Sequence, residues 1–442
     1  MRPSKGAQVF SIPNIQRYIA FKVLFNSRFY YPVFTILFLD FGLSVAQFSL
    51  LNAVWAATIV LAEVPSGALA DTIGRKHLLI FATMTMVVEV GLIAFLPLGN
   101  SSLIFWVFLV NRVLSDLAEA AASGADEALA YDALIQQGNP DDWAKVLEVF
   151  ARFQYLGFII AMTCGAAIYD PELMTSIVNF LGVPISLTQE TTMRFPLYAT
   201  LLLALGACAA TSGMEELHPR KGSQNRPTLK RAFALTFKAS AWILSSGFVF
   251  KVILFGMLFD SIVRMVVTLS SQYYRMILLP ESLFGIIGSL VAMLGFIIPK
   301  LAGKLVRTHP PDKGLWLTTG LTITGLTAMT FFWPWVGMIP ALVTYGAMYF
   351  NGFFVCYYIN QNTPSDQRAT VLSFKGLSYN LAYGLLGTFY ALVLRHQKQG
   401  LETGINTALD NQIFKETFIL FPSLFLAGFI SLMVICKFYG KS

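Results

Sequence analysis

Charged residues are scarce in this chain. Asp, Glu, Lys and Arg make up 12% of its 442 residues, about half of the ~25% typical of soluble proteins. Hydrophobic residues make up 56%, and a water-soluble fold of this composition would expose more apolar surface than it could hide. The composition therefore excludes a cytosolic enzyme, a disordered chain and a secreted disulfide-rich domain. It predicts a protein embedded in lipid.

Cysteine and histidine are also few, with four of each. The cysteines stand inside apolar runs, which favours packing roles over a disulfide framework or a metal site. The histidines are scattered over loops and span ends, a spacing that does not suit a metal ion. The sequence has neither a glycine-rich phosphate loop nor a nucleophile–base set. We therefore expect no enzyme, no catalytic residues, no metal and no cofactor, with a proton as the coupling ion.

Long apolar stretches recur along the whole chain. A helix needs about 20 mostly apolar residues to cross the hydrocarbon core, and the alternation typical of barrel strands is absent. Backbone in lipid must satisfy its own hydrogen bonds, which predicts helices. The twelve predicted spans are 18–41, 45–70, 76–97, 101–124, 145–169, 193–213, 240–273, 282–306, 313–333, 335–361, 367–394 and 413–438.

Basic residues lie mostly on one side of these spans. With both termini in the cytoplasm, the inside segments hold 21 of the 31 Lys and Arg residues and the outside loops hold five. Cytoplasmic loops of membrane proteins carry such an excess. We therefore expect a multi-pass protein of the inner (plasma) membrane with cytoplasmic termini. Its basic patches are expected to face anionic lipid headgroups rather than nucleic acid.

A polar stretch in the middle divides the chain into two sets of six spans. Residues 215–238 hold six Lys and Arg and are predicted to form a flexible cytoplasmic linker between bundles at 1–214 and 239–442. Superposing Gly67, at the end of span 2, on Gly303, at the end of span 8, gives an offset of 236 residues. Weak internal symmetry of this kind is typical of transporters built from repeats.

The loop between spans 2 and 3 carries a specific pattern. Gly67, Asp71, Gly74, Arg75 and Lys76 form the sequence Gly-x-x-x-Asp-x-x-Gly-Arg-Lys, which resembles the signature loop of the major facilitator superfamily. The resemblance covers the whole chain, because twelve spans and a mid-chain linker accompany the loop. It implies an all-α membrane protein in which two pseudo-symmetric six-helix bundles surround a central cavity and work by alternating access.

The resemblance also implies that this loop is an inner gate rather than a substrate site. Asp71 is expected to meet a helix N-terminus of the other bundle, where the helix dipole favours an anion. Glu63, two turns before Asp71, is assigned to the same gate. Residues 63–67 and 123–134 are similar to a poorly characterised bacterial branch of the superfamily. The Gly-Pro motif typical of span 5 in drug antiporters is absent.

Ionisable residues inside spans are costly and are functional candidates for that reason. In span 4, Arg112, Asp116 and Glu119 follow one another at i, i+4 and i+7, so they lie on one helix face. We interpret them as a proton or substrate relay on the inner half of the cavity. The alternative is a row of structural ion pairs against neighbouring helices.

Spans 1 and 7 occupy equivalent places in the two halves. Arg28 plus the offset of 236 leads to residue 264, which is Arg264. These spans line the cavity in the superfamily, so the resemblance implies two guanidinium groups that face the transport path. Planar bidentate donors suit carboxylate or phosphate. Asp260, one turn before Arg264, is expected to neutralise it between substrate visits, and a permanent structural pair is the alternative.

Three further residues complete the predicted pathway. Arg152 adds positive charge in span 5, and Tyr345 and Tyr349 stand one turn apart in span 10. The two tyrosines can present hydroxyl groups or ring faces to a ligand. Aromatic residues at helical spacing are more often packing residues, and that role stays open for both.

These patterns lead to a hypothesis about function. We expect a monomeric secondary transporter of a small organic anion or siderophore-like solute, coupled to protons through Asp116, Glu119 and Asp260. One alternative is proton-driven multidrug efflux of amphipathic or cationic compounds through an aromatic cavity. Another is a membrane receptor or scaffold that transports nothing, although such a protein would not need a gate that resets.

Overall fold

The computed structural model describes residues 9–216, 246–364, 367–398 and 407–439. Over these ranges the chain is helical and contains no strand. In chain order, the helices α1 to α18 are Pro13–Asn26, Phe34–Asp40, Val45–Ile73, Arg75–Ala94, Ser101–Ala122, Ala125–Gln137, Trp143–Tyr169, Pro171–Phe180, Gln189–Thr192, Phe195–Gly213, Gly247–Thr268, Ser270–Met276, Ser282–Thr308, Pro311–Met329, Met338–Asn362, Arg368–Lys398, Thr407–Thr417 and Leu420–Tyr439.

These helices confirm the predicted all-α membrane protein. Within the described ranges, nine helices are long and apolar enough to cross a membrane, or ten if α11 and α12, which meet at a 54° bend, form one span. Two predicted spans fall outside this set. One is α14, which carries Asp312 and Lys313 in its first turn. The other is span 1, which is divided between α1 and α2, so the structure is consistent with the predicted twelve spans.

The predicted span 18–41 is not one continuous helix. Helix α1 ends at Asn26 and α2 begins at Phe34. Pro32 lies in a short 3-10 turn, Tyr31–Val33, and a proline lacks the N–H that a helix interior needs and restricts the residue before it. Helix α7 packs directly on this break, since a Cβ on Gly165 would lie 1.8 Å from the carbonyl oxygen of Phe29.

The chain forms two compact units whose boundaries do not follow the two predicted bundles. Unit 1 consists of Met1–Val33, Thr58–Arg231 and Ser282–Ser289, and unit 2 consists of Phe34–Ala57, Ala232–Glu281 and Leu290–Ser442. The bundle boundaries at 1–214 and 239–442 stay a prediction. Most of the predicted linker, from residue 217 onward, lies outside the described residues.

Unit 1 is built on α4, which packs against α5 and α10, while α10 packs in turn against α1. Apolar side chains from these helices and from α6 fill its interior, among them Tyr18, Phe21, Leu79, Met86 and Leu134. Arg28 lies at the edge of this interior, in the break between α1 and α2, where a polar cluster replaces the apolar packing.

Unit 2 is built on α11, which packs against α15, α16 and α18. Helices α11 and α16 approach so closely that a Cβ on Gly256 would lie 1.9 Å from the hydroxyl oxygen of Tyr379. Helix α2 belongs to this unit and packs on α12, where the backbone N–H of Thr35 donates to Ser271 Oγ at 3.0 Å. Helix α11 therefore holds Asp260 and Arg264 inside a closely packed set of helices.

Candidate transport site

In unit 1, the guanidinium group of Arg28 lies at the centre of a buried polar cluster. Its Nη1 atom donates to Glu89 Oε1 at 2.8 Å, to the Tyr30 hydroxyl at 2.8 Å and to Ser115 Oγ at 3.2 Å. The Arg28 side chain is 2% exposed and that of Glu89 is 0% exposed. Arg28 is thus enclosed by protein, whereas the sequence predicted a group that faces the transport path.

Glu89 on α4 is held by a second helix. The side-chain amide of Asn111, on α5, donates to the Glu89 carboxylate and, at 2.9 Å, to the Glu89 carbonyl oxygen. Sequence reasoning missed both residues as parts of the site. The only signal for Glu89 was an acid inside an apolar span, since nothing in its spacing relates it to Arg28.

The stripe predicted on span 4 is present on α5 and continues the cluster. Arg112 and Asp116 are buried, and the charge of Arg112 is near enough to act on the carboxylates of Glu89 and Asp116. Glu119 Oε1 lies 3.8 Å from Arg28 Nη2, and 35% of the Glu119 side chain is exposed. We call Arg28, Glu89, Arg112, Asp116 and Glu119 the Arg28 cluster.

Asp116 differs from the other acids of the Arg28 cluster. Both of its carboxylate oxygens are buried, and neither accepts a hydrogen bond from any residue in the described ranges. A buried carboxylate without donors is strongly destabilised when it is charged. The Arg28 cluster contains three carboxylates and two guanidinium groups, so it carries one excess negative charge when every member is ionised. One bound proton makes it neutral.

In unit 2, Arg264 on α11 forms a second cluster. It pairs with Asp260 one turn before it, and its Nη1 atom donates to Asn380 Oδ1 at 2.8 Å. Its guanidinium carbon lies 4.8 Å from the centre of the Tyr383 ring, in a cation–π arrangement. About a fifth of the Arg264 side chain is exposed, 21%. We call these four residues the Arg264 cluster.

The sequence predicted the Asp260–Arg264 contact but not its surroundings. Asn380 and Tyr383 come from α16, more than 100 residues further along the chain, and no spacing pattern relates them to α11. The contact is compatible with both earlier interpretations, an exchangeable pair and a permanent one.

The remaining predicted pathway residues make contacts of their own. Arg152 pairs with Glu148 one turn before it, and the two side chains are 74% and 62% exposed. The hydroxyl group of Tyr274 donates to that of buried Tyr345 at 3.3 Å. Tyr349 packs on α13, since a Cβ on Gly295 would lie 3.1 Å from its ring. Roles for these residues in transport stay predictions.

The structure describes only part of the predicted gate. Helix α3 continues through Glu63, Gly67 and Asp71, but the side chains of Glu63 and Asp71 lie outside what the structure describes. Gly74 separates α3 from α4 with a φ of +101°, a backbone conformation that favours glycine.

Arg75 and Lys76 begin α4 and meet two acids. The Arg75 side chain pairs with Asp132 on α6. The Glu216 carboxylate accepts the backbone N–H groups of Arg75 and Lys76 at 3.2 and 2.7 Å, and so it caps a helix N-terminus from a distant part of the chain. This part of the loop is therefore fixed by α6 and by the segment after α10.

Comparison with known proteins finds a family match over most of the chain and solved structures with a similar fold. A sequence profile of the Major Facilitator Superfamily matches residues 19–388, whereas a search of curated protein sequences found no match. A mutant of the nucleoside transporter NupG is 13% identical with a TM-score of 0.70, covering 98% of this chain and 99% of its own. A bacterial homologue of the human lysosomal transporter Spinster is 15% identical with a TM-score of 0.66, covering 100% and 98%. A D-xylose–proton symporter is 13% identical with a TM-score of 0.63, covering 96% and 97%.

Proposed function

Since the chain belongs to the Major Facilitator Superfamily, we propose that it is a proton-coupled secondary transporter of a small organic anion. The family consists of membrane transporters, and the chain is a multi-pass membrane protein with a small-molecule substrate. The observation that carries the proposal is the excess of carboxylates over guanidinium groups in the Arg28 cluster. The Arg264 cluster supports the choice of an anion.

The charge balance of the Arg28 cluster supports proton coupling. An uncompensated charge inside a membrane protein is expensive, so three carboxylates beside two arginines favour one bound proton. Asp116 suits the proton best because its oxygens accept no hydrogen bond within the described part of the chain. Glu119, one turn along α5 and partly exposed, offers a route between Asp116 and water. One of the structural neighbours is named as a proton symporter, for D-xylose.

The Arg264 cluster supports an anionic substrate. Arg264 is partly accessible, and its planar guanidinium group is oriented by Asn380 and by the Tyr383 ring. A substrate carboxylate can take the place of Asp260 on this fork with two parallel hydrogen bonds. Asp260 then loses its counter-ion and favours a proton, which links anion binding to proton uptake in the same cluster.

The proposal is tested with the purified full-length chain in proteoliposomes that contain a pH-sensitive dye. Under an imposed pH gradient, hydroxy and dicarboxylic acids are compared with lipophilic cations such as tetraphenylphosphonium. We expect a carboxylate to start proton flux in the wild type, and Asp116→Asn to abolish that flux. Proton flux started only by cations would favour drug efflux. Absence of flux with every compound, while ligands still bind, would favour the receptor or scaffold.

The proposed cellular setting is the inner membrane, with a monomer whose termini face the cytoplasm. Its basis is the distribution of Lys and Arg, 21 inside and five outside. C-terminal fusions to alkaline phosphatase, active only outside the cytoplasm, and to a fluorescent protein, active inside it, test the orientation. We expect fluorescence and no phosphatase activity, and the opposite pattern would reverse the topology. Light scattering of the detergent-solubilised protein tests the monomer.

A further inference from the structure

A cavity of about 280 Å³ lies inside unit 2, between α11, α14 and α15. Its floor is apolar and closed, with Phe259, Phe354 and Val355 exposed by 2%, 7% and 5%. Phe248, Pro311 and Asp312 are its exposed lining residues, so it opens where α11 and α14 begin. No member of the Arg264 cluster lines it, and it is therefore separate from the proposed transport site.

Two opposite charges stand at the open end of this cavity. Lys251, from the first turns of α11, and Asp312, from the first turn of α14, both line it. Among the residues in the described ranges, neither forms a salt bridge with the other or with a third residue. A ligand that carries both an anionic and a cationic group would compensate them together.

Behind these two charges, mainly apolar side chains line the cavity, and we call this part of it the channel. Lys251, Phe255 and Phe259 follow at i, i+4 and i+8 on one face of α11. Eight residues at a rise of 1.5 Å each give a length of roughly 12 Å along the helix. A channel of this length accepts part of an extended hydrocarbon chain, because half of the residues that line the cavity are phenylalanine, valine or leucine.

We propose that this cavity binds one acyl chain of a zwitterionic phospholipid of the phosphoethanolamine type. The lipid phosphate contacts the Lys251 ammonium group, and the lipid amine contacts the Asp312 carboxylate. The protein spans a membrane, so phospholipids surround it and can reach the cavity. Helix α11 carries both Lys251 and Arg264, and an acyl chain between α11, α14 and α15 holds the helix that presents the substrate-binding arginine.

Native mass spectrometry of the delipidated full-length protein tests this site. Phosphatidylethanolamine and phosphatidylglycerol of identical chain length are titrated separately. We expect the wild type to retain one phosphatidylethanolamine molecule in preference to phosphatidylglycerol. Lys251→Met removes a hydrogen bond to a charged group and should weaken this binding about tenfold. Lys300→Met, an exposed lysine of α13 outside the cavity, is the matched control and should bind as the wild type does.

Two further variants test the headgroup contact and the channel independently. Asp312→Asn removes the contact with the amine, and it should abolish the preference for phosphatidylethanolamine over phosphatidylglycerol. Val252→Trp fills the channel and should reduce the binding of both lipids, with a circular dichroism spectrum like that of the wild type. Equal retention of both lipids by the wild type, or retention unchanged in Val252→Trp, would overturn the proposal. Should Lys251→Met fail to fold, Asp312→Asn and Val252→Trp still decide it.

Discussion

Arg28 and Glu89 form an ion pair that is enclosed by protein, with a distance of 2.8 Å between Nη1 and Oε1 and with exposures of 2% and 0%. The two residues are 61 positions apart in the chain. Glu89 is the single acid to which Arg28 donates a short hydrogen bond, among the residues in the described ranges. The pair therefore joins the break in span 1 to α4.

Glu89→Gln should destabilise the protein strongly. Glu89 is the acid hydrogen-bonded to Arg28 among the described residues, so the substitution breaks the direct ion pair, and breaking a buried pair typically costs about 3–5 kcal/mol. Thermal unfolding of the purified protein in detergent measures the loss. The control is Glu148→Gln, because Glu148 and Arg152 form an exposed pair worth about 0–1 kcal/mol. Similar unfolding temperatures for the two variants would show that the Arg28–Glu89 pair contributes little.

Asp116→Asn should separate binding from proton coupling. Asparagine is nearly isosteric with a protonated aspartic acid and cannot release a proton, so the folded protein should keep its ligand affinity. Proton flux driven by substrate should fall to the background of empty liposomes. Exchange of labelled for unlabelled substrate, which needs no net proton movement, should persist. Undiminished proton flux in Asp116→Asn would assign the coupling proton to another residue.

The Tyr383 ring should contribute to the binding of the substrate by Arg264. Tyr383→Leu removes a cation–π contact of about 1 kcal/mol, which corresponds to roughly fivefold weaker substrate binding. Tyr383→Phe keeps the ring and serves as the control, with near wild-type affinity. Arg264→Lys loses the planar fork and should weaken binding more than Tyr383→Leu does. Isothermal titration gives the affinities, and equal values for Leu and Phe at position 383 would exclude the cation–π contribution.

Asp40 and Arg275 should show energetic coupling in unit 2. Arg275 donates to both Asp40 oxygens, at 2.7 and 2.8 Å, and also contacts Glu281. A double-mutant cycle with Asp40→Asn and Arg275→Gln should give an interaction energy of about 0.5–3 kcal/mol in thermal unfolding. Additive effects of the two substitutions would show that the contacts are energetically independent.

Gly165→Ala should be destabilising because α7 touches the break in span 1. The added Cβ would lie 1.8 Å from the Phe29 carbonyl oxygen, and overpacking of this kind costs about 1–3 kcal/mol. Gly91→Ala in α4 is the control, since its Cβ would meet nothing within 4 Å and alanine favours a helix by roughly 0.5–1 kcal/mol. Opposite shifts in unfolding temperature are expected, and equal shifts would contradict the close approach.

The parts of the site that the sequence predicted are those with local spacing. Arg112, Asp116 and Glu119 lie on one helix, so the periodicity of an α-helix is sufficient to place them together. The contact of Asp260 with Arg264 is predictable for the same reason. This periodicity could not find Glu89, Asn380 and Tyr383. Each of them contacts its arginine from another helix, and no rule of spacing in the sequence relates residues on different helices.

Composition and short-range sequence pattern by themselves determined that this protein is embedded in a membrane, that it is helical and that it carries the loop motif of its family. These properties depend on overall composition and on residues close together in the chain. Only the tertiary structure decided where span 1 breaks, which acid pairs with Arg28, and that Lys251 and Asp312 line one cavity beside α11. Those outcomes depend on how helices pack against one another, and packing brings together side chains that are tens to hundreds of residues apart.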